Sequence, residues 1–553
     1  MAACWRRRVV KLGRGHPARE AVLAVMRAIG RDIVAWSAVA VLARIVFWIV
    51  TDRTWEDALI TIAHARNAVA GIGLTHHPGE PVTHGFTSAL SVLVPLLGEL
   101  VARDAGLVLV RLVSLVAAVA TVVAADRICR RLGIGRAPRI MVLAYLALDL
   151  NHIFYGMAGM ETQLAVAILL WSVEAAMASG AIRSGVTYGL SLLARPDFAI
   201  WVASALLDRI ARDRRGAVVA GAAALIVVAP WVVFTTLYYG SPIPQTIIAK
   251  AGLFVTPPPA GAGPIEIAGW LATTVVERLS AVLRTFAPFF EDTHVVAAPL
   301  PLLGALYVSI VVWALAIGGA LTTWRVPGWR AAVLFAAGFT VYRAVLLPTA
   351  YFDWYVPPHS AVLIILAAAG VERLRPLRWV DPRRVLAGAV AVAMAVHYPF
   401  TLAMERAIQR DIENAVRRPI GEELARVVPP GRTVATEPVG YLGYYSNALL
   451  IGYPGLTSRR ALEIMQELPP DRRDGLEFFN RAEADFMALR AEEWTAFRQI
   501  FPATAARYEE IARFASPPGT IQFDAQGRRR IEVLGLRKDA SSSEMLILRR
   551  ITP

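Results

Sequence analysis

The chain has 553 residues, of which 56% are hydrophobic and 18% are charged. Apolar runs of about twenty residues recur along it, and a soluble domain has no use for so many of them. The composition therefore excludes a soluble enzyme and predicts an α-helical polytopic membrane protein embedded in a lipid bilayer. The net charge of +14 does not indicate nucleic-acid binding, because Lys and Arg cluster in short loops between the apolar runs, as the positive-inside rule predicts.

The apolar pattern predicts eleven transmembrane helices within residues 32–400, after a basic cytoplasmic N-terminus over residues 1–31. The spans lie at about 32–50, 107–125, 140–158, 162–179, two short helices within 185–209, then 217–238, 300–321, 331–347, 355–370 and 385–399. Residues 51–106 and 239–298 are external loops on this count. The apolar stretch at 86–101 is short and favours a helix lying at the membrane interface.

From residue 401 the composition changes to that of a soluble domain. Short apolar stretches alternate there with charged, helical stretches such as residues 477–498, which predicts a small α/β domain over residues 401–553. Because eleven spans start from the cytoplasm, this domain is expected on the outer face. We therefore expect a multi-pass protein of the inner (plasma) membrane, with its active site and C-terminal domain on the extracytoplasmic side.

Two adjacent carboxylates, Glu56 and Asp57, follow the first predicted span directly. One interpretation is a cap for a helix over residues 58–70, because acids favour helix N-termini. Another is a general base, or a carboxylate that stabilises a transition state, facing a bound sugar. The pair can also hold a divalent cation, but no second acid cluster completes an oxygen shell, so the sequence predicts no certain cofactor and no metal site.

Three cations also stand out on the predicted outer side. Lys250 is the only lysine between Lys11 and Lys538, and it is either an interfacial anchor or a point charge for a lipid phosphate. Arg195 lies in an Arg-Pro-Asp break of an apolar hairpin, and Arg343 lies inside an apolar run. Both arginines need a charged partner or a polar cavity.

Other polar and aromatic residues allow a structural or a functional interpretation. Glu161 begins a predicted span, where an acid is usually a helix cap. Residues 351–355 form an aromatic turn, which is typical of an interfacial belt but also suits stacking on a sugar. His76, His77 and His84 lack the spacing of zinc ligands, and the sequence favours solvated loop histidines.

Six segments resemble, in the same order, motifs of the bacterial GT-C membrane glycosyltransferases. They are WEDALITIAHARNAVAGIGLTHHPGEPVTHGFTSAL (55–90), GMETQLAV (159–166), LARPDFAIW (193–201), YYGSPIPQTIIAK (238–250), YFDWYVPPHS (351–360) and VATEPVGYLGYYSNALLIGYPGLTS (434–458). Each motif is weak alone, whereas six in order form a strong signal. Within the family the chain most resembles the AftB-like arabinofuranosyltransferases. It departs from the family pattern at Glu56, where Asp is usual, at Thr83-His84-Gly85 and at Gly452-Tyr453-Pro454.

The resemblance implies a GT-C fold and transfer of a sugar, an arabinofuranosyl residue in the nearest relatives, from a polyprenyl-phosphate donor. The acceptor would be a cell-envelope glycan or lipid on the outer face. The catalytic acid falls on Glu56 or Asp57, and the donor phosphate is expected to contact Lys250, Arg195 and Arg343. Expected substrate contacts are Arg66, His84, Glu161, Tyr351, Asp353 and Trp354.

Two alternatives have different sequence signatures. A lipid or sugar transporter, or flippase, more often shows internal repeats with broken spans in matching halves, and the sequence shows no such pairing. A non-catalytic scaffold of envelope synthesis is a second alternative, which loss of both acids would have favoured. The donor sugar, the acceptor, the stereochemistry and the oligomeric state are not encoded in these patterns.

Overall fold

The computed structural model describes most of the chain. The described residues are 17–178, 180–251, 261–286, 300–346, 352–376, 378–469, 472–524 and 526–551. The described residues are almost wholly helical as far as residue 427, and an α/β fold with two sheets follows. The predicted fold class, a helical membrane protein with a C-terminal α/β domain, is confirmed.

The first part of the chain folds into helices of very different lengths. These are α1 (Pro17–Thr51), α2 (Glu56–Val69), α3 (Ala89–Val101), α4 (Gly106–Arg131), α5 (Arg136–Leu148), α6 (Leu150–Met157), α7 (Thr162–Met177), α8 (Ala181–Ala194), α9 (Ala199–Ile210), α10 (Arg214–Tyr239), α11 (Gln245–Ala251), α12 (Pro264–Leu283), α13 (Leu300–Thr323), α14 (Trp329–Val341), α15 (Val356–Val371), α16 (Pro382–Ile408) and α17 (Arg418–Val427). A core of buried Ala, Val, Leu, Ile and aromatic side chains joins most of these helices.

Among the described residues, six helical segments are long and apolar enough to cross a membrane by length and composition. They are Gly30–Thr51, Gly106–Arg131, Arg136–Met157, Arg214–Tyr239, Asp353–Val371 and Pro382–Val427. Helix α10 leaves Val218, Leu225 and Leu237 exposed, which is the apolar surface that a span turns to lipid. The chain is therefore a multi-pass membrane protein. The total of eleven spans stays a prediction, because helices such as α7 and α9 are apolar but shorter than a bilayer core.

The chain breaks within two of the predicted apolar regions. Asp149 is extended between α5 and α6, and its side chain accepts a hydrogen bond from the N–H of His152 at 3.1 Å. The predicted hairpin is confirmed as two short helices, α8 and α9, which meet at extended Arg195 and the 3₁₀ turn Pro196–Phe198. Proline cannot continue α8, so the chain turns at Arg195 and leaves a polar break.

The last long helix continues into the C-terminal domain. After α16 a π-helical segment, Gln409–Arg417, leads without interruption into α17, so the helical stretch runs from Pro382 to Val427. The change of composition near residue 401 therefore lies inside a continuous helix. This continuity ties the orientation of the C-terminal domain to that of a transmembrane helix.

The C-terminal domain contains a mixed five-stranded sheet and a smaller three-stranded sheet. Its elements are β1 (Thr433–Thr436), α18 (Val439–Ser446), β2 (Leu449–Gly452), α19 (Arg459–Glu467), α20 (Gly475–Ala482), β3 (Phe486–Arg490), α21 (Ala491–Ile500), α22 (Pro502–Ala505), β4 (Tyr508–Ala515), β5 (Ile521–Phe523), β6 (Arg529–Val533), β7 (Leu536–Asp539) and β8 (Glu544–Arg550). The large sheet has the order β2-β1-β3-β8-β4, with β1 parallel to both β2 and β3. Strand β8 runs antiparallel to β3 and β4.

The prediction of one helical stretch over residues 477–498 is wrong. The structure places the buried strand β3 between the helices α20 and α21. A strand packed on both faces has no polar alternation, so its short apolar run looked like part of a helix.

Buried charges join the C-terminal domain to the helical region. Arg53, just after α1, forms ion pairs with Glu405 at 3.0 Å and Glu413 at 2.9 Å, and Lys538 of β7 pairs with Glu405 at 2.6 Å. The side chains of Arg53, Glu405 and Glu413 are almost completely buried. Removal of one partner from such a group leaves an unpaired buried charge, which costs about 3–5 kcal/mol. The network therefore fixes the short segment that leads into helix α2, whose first residues are Glu56 and Asp57.

Candidate active site

A cavity of about 180 Å³, here called the central cavity, lies where the helical region meets the C-terminal domain. Its wall is formed by Asp57, Ala58, Ile60, Thr61, Gly85, Phe86, Thr87, Ser88, Ser91, Met160, Glu161, Arg195, Pro196, Asp197, Thr246, Ile247, Lys250, Tyr342, Trp354, Tyr355 and Leu456. Each of the six segments singled out in the sequence contributes at least one of these residues. Segments up to 400 residues apart in the chain thus meet around one small space.

Hydrogen bonds hold these segments against one another. The hydroxyls of Thr87 and Thr246 lie 2.9 Å apart and join the first loop to α11. The Gln245 side-chain amide donates to the backbone oxygens of Gly455 at 2.7 Å and Ser458 at 2.9 Å. Gln245 therefore fixes the position of Lys250, one helical turn further on, relative to the C-terminal domain.

The first turn of α2 is positioned by an aromatic cluster and a glycine. The backbone N–H of Trp55 donates to the backbone oxygen of Ala158 at 2.9 Å, and the Trp55 ring packs edge-on against Phe154 with centroids 5.5 Å apart. Gly159 has φ +104, and a Cβ there would lie 2.9 Å from the Cβ of Ala58. Only glycine allows this conformation and this close approach. The Gly159 turn thereby brings Glu161 beside the helix that carries Asp57.

The two adjacent acids of α2 face different parts of the protein. Consecutive residues of an α-helix point about 100° apart. Asp57 lines the central cavity, whereas Glu56 accepts hydrogen bonds from the backbone N–H groups of Gly440 and of Tyr441, the latter at 3.3 Å. Glu56 also lies 3.5 Å from Arg417. Burial raises the pKa of Glu56 to about 7, against the lowering effect of Arg417.

The expectation that the acids cap a helix is confirmed only in part. Helix α2 begins at Glu56 itself, so both acids lie in its first turn, where the helix dipole favours negative charge. Glu56 in addition caps α18 of the other domain, since it binds the free N–H groups at that helix's start.

Asp57 and Lys250 are two buried, titratable residues of the central cavity wall. Burial raises the pKa of the Asp57 carboxyl, and Lys250 lowers it in part. Burial also lowers the pKa of the Lys250 ammonium, which lies 5.2 Å from the ring centroid of Phe352 and 5.6 Å from that of Trp354. Within the part of the chain that the structure describes, Lys250 has aromatic faces as neighbours but no paired carboxylate. The positive charge of Lys250 is therefore available to pair with an anionic ligand.

Arg195 is already neutralised by protein acids. Its guanidinium pairs with Asp197 at 3.0 Å and with Glu161 at 3.7 Å, and it lies 4.8 Å from the Tyr355 ring centroid. Burial raises the pKa of Glu161, and Arg195 opposes that effect. The structure brings Arg195, Glu161 and Trp354 to the central cavity wall together with Asp197 and Tyr355, which were not proposed from the sequence as site residues. Their positions beside Arg195 and Trp354 in the sequence were the available signal.

Among the described residues, Arg343 and Arg66 do not line the central cavity. Arg343 donates to the Thr285 hydroxyl at 2.9 Å, and its other partner is the His359 ring at 3.3 Å. Arg66 is occupied by Tyr444, since it donates to the Tyr444 backbone oxygen and lies 4.2 Å from the centroid of that ring. Arg343 lies instead among the helices, whereas Arg66 lies at the contact with the C-terminal domain.

Two aromatic-turn residues separate in a similar way. Trp354 lines the central cavity, but Asp353 lines a second cavity of about 340 Å³ with Arg53 and Lys538. Neighbours in the 3₁₀ turn Asp353–Tyr355 point in different directions, so one turn serves two cavities. Tyr351 lies outside the described residues.

The prediction that the loop histidines are solvated is wrong. His76, His77 and His84 are at most 5% exposed, and the His84 ring stacks on Tyr239 with centroids 4.6 Å apart. Burial lowers the pKa of His84 to about 4 and of His77 to about 3, so both rings are neutral at pH 7. The loop folds under the C-terminal domain, which the sequence could not reveal. Among the described residues, no three His, Cys, Asp or Glu side chains are grouped to hold a metal ion.

Residues 406–534 match the family described as "Domain of unknown function (DUF8728)". No curated protein matches the chain. The fold is similar to crystal structures of ArnT from Cupriavidus metallidurans. The structure bound to undecaprenyl phosphate is 13% identical, with 93% of this chain and 97% of that chain covered and a TM-score of 0.51. The apo structure is 12% identical, with 94% and 98% covered and a TM-score of 0.52.

A cryo-EM structure of the arabinofuranosyltransferase AftD from Mycobacteria is 16% identical. It covers 95% of this chain but 40% of its own, and the TM-score of 0.44 is too low for an argument about shared fold. The likeness to ArnT extends over nearly the full length of both proteins. The chain therefore has the GT-C type of fold that its sequence motifs predict.

Proposed function

We propose that the protein is a membrane glycosyltransferase that moves a sugar from a polyprenyl-phosphate donor to an acceptor hydroxyl on the outer face of the plasma membrane. The observation that carries the proposal is that all six motif segments line one cavity, with Asp57 and Lys250 among its walls. The fold likeness to ArnT, which has been seen with undecaprenyl phosphate bound, supports the choice of donor.

Asp57 is the proposed catalytic base, and the structure offers a reason to prefer it to Glu56. Its carboxylate lines the cavity, whereas that of Glu56 is engaged by the backbone of α18. The acceptor oxygen attacks the anomeric carbon, its proton passes to Asp57, and the bond from that carbon to the phosphate oxygen breaks. A carboxyl with a raised pKa is a stronger base than an ordinary aspartate, which suits this proton transfer.

Lys250 is the proposed contact for the donor phosphate. Charge develops on the phosphate as the bond to the sugar breaks, and a cation placed there stabilises the transition state. Lys250 suits this role because it lies against the rings of Phe352 and Trp354 and forms no ion pair with a described carboxylate, while Asp57 and Glu161 are close enough to oppose the lowering of its pKa by burial. Arg195 is balanced by Asp197 and Glu161, so its proposed role is to hold those two acids at the cavity wall.

The transferred sugar is proposed to bind against the aromatic side of the central cavity. Trp354 and Tyr355 supply ring faces, and Glu161 and Asp197 supply acceptors for sugar hydroxyls. A cavity of about 180 Å³ suits a single monosaccharide. The arabinofuranosyl donor remains a proposal that rests on the resemblance of the sequence motifs, as does a cell-envelope acceptor.

The test uses purified full-length protein in lipid nanodiscs, supplied with radiolabelled polyprenyl-phosphate arabinose, mannose or glucose and with cell-envelope acceptor. We expect one donor to be consumed by the wild type and spared by Asp57→Asn, with unchanged thermal unfolding of the variant. Consumption of no donor would overturn the proposal in favour of a transporter or a scaffold. Transfer that survives Asp57→Asn would remove Asp57 as the base and leave the reaction class in place.

A further inference from the structure

The C-terminal domain holds a cavity of its own, here called the sheet-edge cavity, of about 570 Å³. It lies at the carboxyl ends of the three parallel strands. Glu437 follows β1, Tyr453 follows β2 and Arg490 ends β3, and all three line the cavity. The mechanism proposed above makes no use of this space.

The strand order makes this edge a natural ligand site. From β1 the chain goes to β2 on one side of β1, and then crosses back to β3 on the other side. The reversal opens a crevice outside the carboxyl ends of the strands, where open α/β sheets bind their ligands. The sheet-edge cavity occupies that crevice, and the N-terminal turn of α20 closes it.

The lining indicates the class of ligand. Four carboxylates, Glu437, Asp474, Glu477 and Glu493, outnumber the two arginines of the wall, which disfavours an anion. Arg490 is further committed to ion pairs with Glu437 and Glu493. Carboxylates accept hydrogen bonds from hydroxyl groups, and the rings of Tyr453 and Phe501 offer faces to the C–H side of a sugar. The combination suits a neutral, hydroxyl-rich chain.

The sheet-edge cavity and the central cavity share a turn. Tyr453 lines the former, and Leu456, three residues later, lines the latter. Glu437 also lies close enough to Asp57 to contribute to the raised pKa of Asp57, after the larger effect of burial. The shared turn and the nearness of Glu437 to Asp57 place the sheet-edge cavity next to the central cavity.

We propose that the sheet-edge cavity binds a neutral oligosaccharide and that this glycan is the acceptor of the transfer. The second half of this inference rests on the proposed function, whereas glycan binding itself does not. Of the glycan and lipid acceptors that the sequence leaves open, the inference selects the glycan. A volume of about 570 Å³ accommodates more than one sugar unit.

The experiment measures binding of fluorescent neutral tetrasaccharides of arabinofuranose, mannose and glucose to the full-length protein in nanodiscs without donor. Glu477→Gln and Tyr453→Phe keep the size of each side chain and remove a charge or a hydroxyl at the cavity. Glu467→Gln is the matched control, because Glu467 is an exposed helical acid of the same domain and outside the cavity. Thermal unfolding shows that each variant is folded.

At least one neutral tetrasaccharide should bind, and Glu477→Gln should weaken it roughly tenfold, the effect of one lost hydrogen bond to a charged group. Tyr453→Phe should weaken it less, and Glu467→Gln should leave it unchanged. Absence of binding, equal binding by all variants, or tighter binding of tetragalacturonate would overturn the proposal. Binding of a neutral glycan without transfer from any donor would keep the glycan site and reject the transferase. Transfer with unaltered acceptor KM in both cavity variants would reject the sheet-edge cavity as the acceptor site and leave the proposed transferase in place.

Discussion

The carboxylate of Glu56 accepts a hydrogen bond from the backbone N–H of Gly440, so the first turn of α2 and the first turn of α18 meet although 384 residues separate them. A Cβ on Gly440 would lie 2.0 Å from the Glu56 backbone oxygen. The contact therefore needs both the acid at 56 and the glycine at 440. With Glu56 held in this way, the neighbouring Asp57 is presented to the central cavity.

Because Asp57 lines the central cavity and Glu56 binds the start of α18, replacing each acid by its amide should have unequal effects on transfer. Asp57→Asn should lower the transfer rate roughly 100- to 10,000-fold, because a general base contributes that much. Glu56→Gln keeps an oxygen for the N–H of Gly440 and should change the rate less than about threefold, a loss of under 1 kcal/mol. Initial rates with saturating donor test the difference. Equal loss in both variants would show that the pair acts as one unit.

The raised pKa of Asp57 predicts the pH dependence of transfer. A raised pKa means that the carboxyl takes up its proton at a higher pH than the ordinary value of 3.8. The base is therefore present above that raised pKa and lost as the pH falls through it. The acid limb of kcat/KM against pH should lie above 3.8 in the free enzyme. An acid limb at or below the ordinary value would contradict a desolvated base.

Substitution of Lys250 should change both the KM for the donor and the position of the acid limb in the pH profile of transfer. Lys250→Met removes a charge from the phosphate and should raise the donor KM roughly 10- to 100-fold. It also removes the cation that lowers the pKa of Asp57, so the acid limb should move to higher pH. Lys250→Arg is the control, since it keeps the charge and should retain most of the affinity. A donor KM that is insensitive to Lys250→Met would place the phosphate elsewhere.

The sequence predicted the membrane class, the C-terminal α/β domain and much of the cavity wall, because these depend on composition and on motifs. Asp57, Glu161, Arg195, Lys250 and Trp354 all line the central cavity. Local spacing could not show that Glu56 binds the other domain, since that contact joins distant parts of the chain. The first motif indicated that the Glu56–Asp57 pair matters, but it could not show which of the two acids lines the cavity.

Other errors have the same physical origin. Arg66 was expected at the substrate and His84 in solvent or at the substrate, but Arg66 binds Tyr444 of the C-terminal domain and His84 is buried against Tyr239. Both outcomes depend on how the first loop folds beneath that domain. Strand β3 was hidden because a strand buried on both faces has the same short apolar signature as part of a helix.

The close contact between Gly440 and Glu56 predicts that a substitution at Gly440 lowers the stability of the fold rather than removing a reacting group. Gly440→Ala forces a Cβ against the Glu56 backbone, which cannot rotate away as a long side chain would, so α2 and α18 must move apart. Such overpacking costs about 1–3 kcal/mol, and the detergent-solubilised variant should unfold at a lower temperature. Gly388→Ala is the matched control, because Gly388 lies in helix α16 outside both cavities and its Cβ would meet nothing within 4 Å. Transfer should fall in Gly440→Ala, because Asp57 moves with α2. Adding Glu56→Asp should not restore it, because shortening the acid does not remove a clash with the backbone of residue 56. Unchanged Tm and activity in Gly440→Ala would show that the two domains separate in solution.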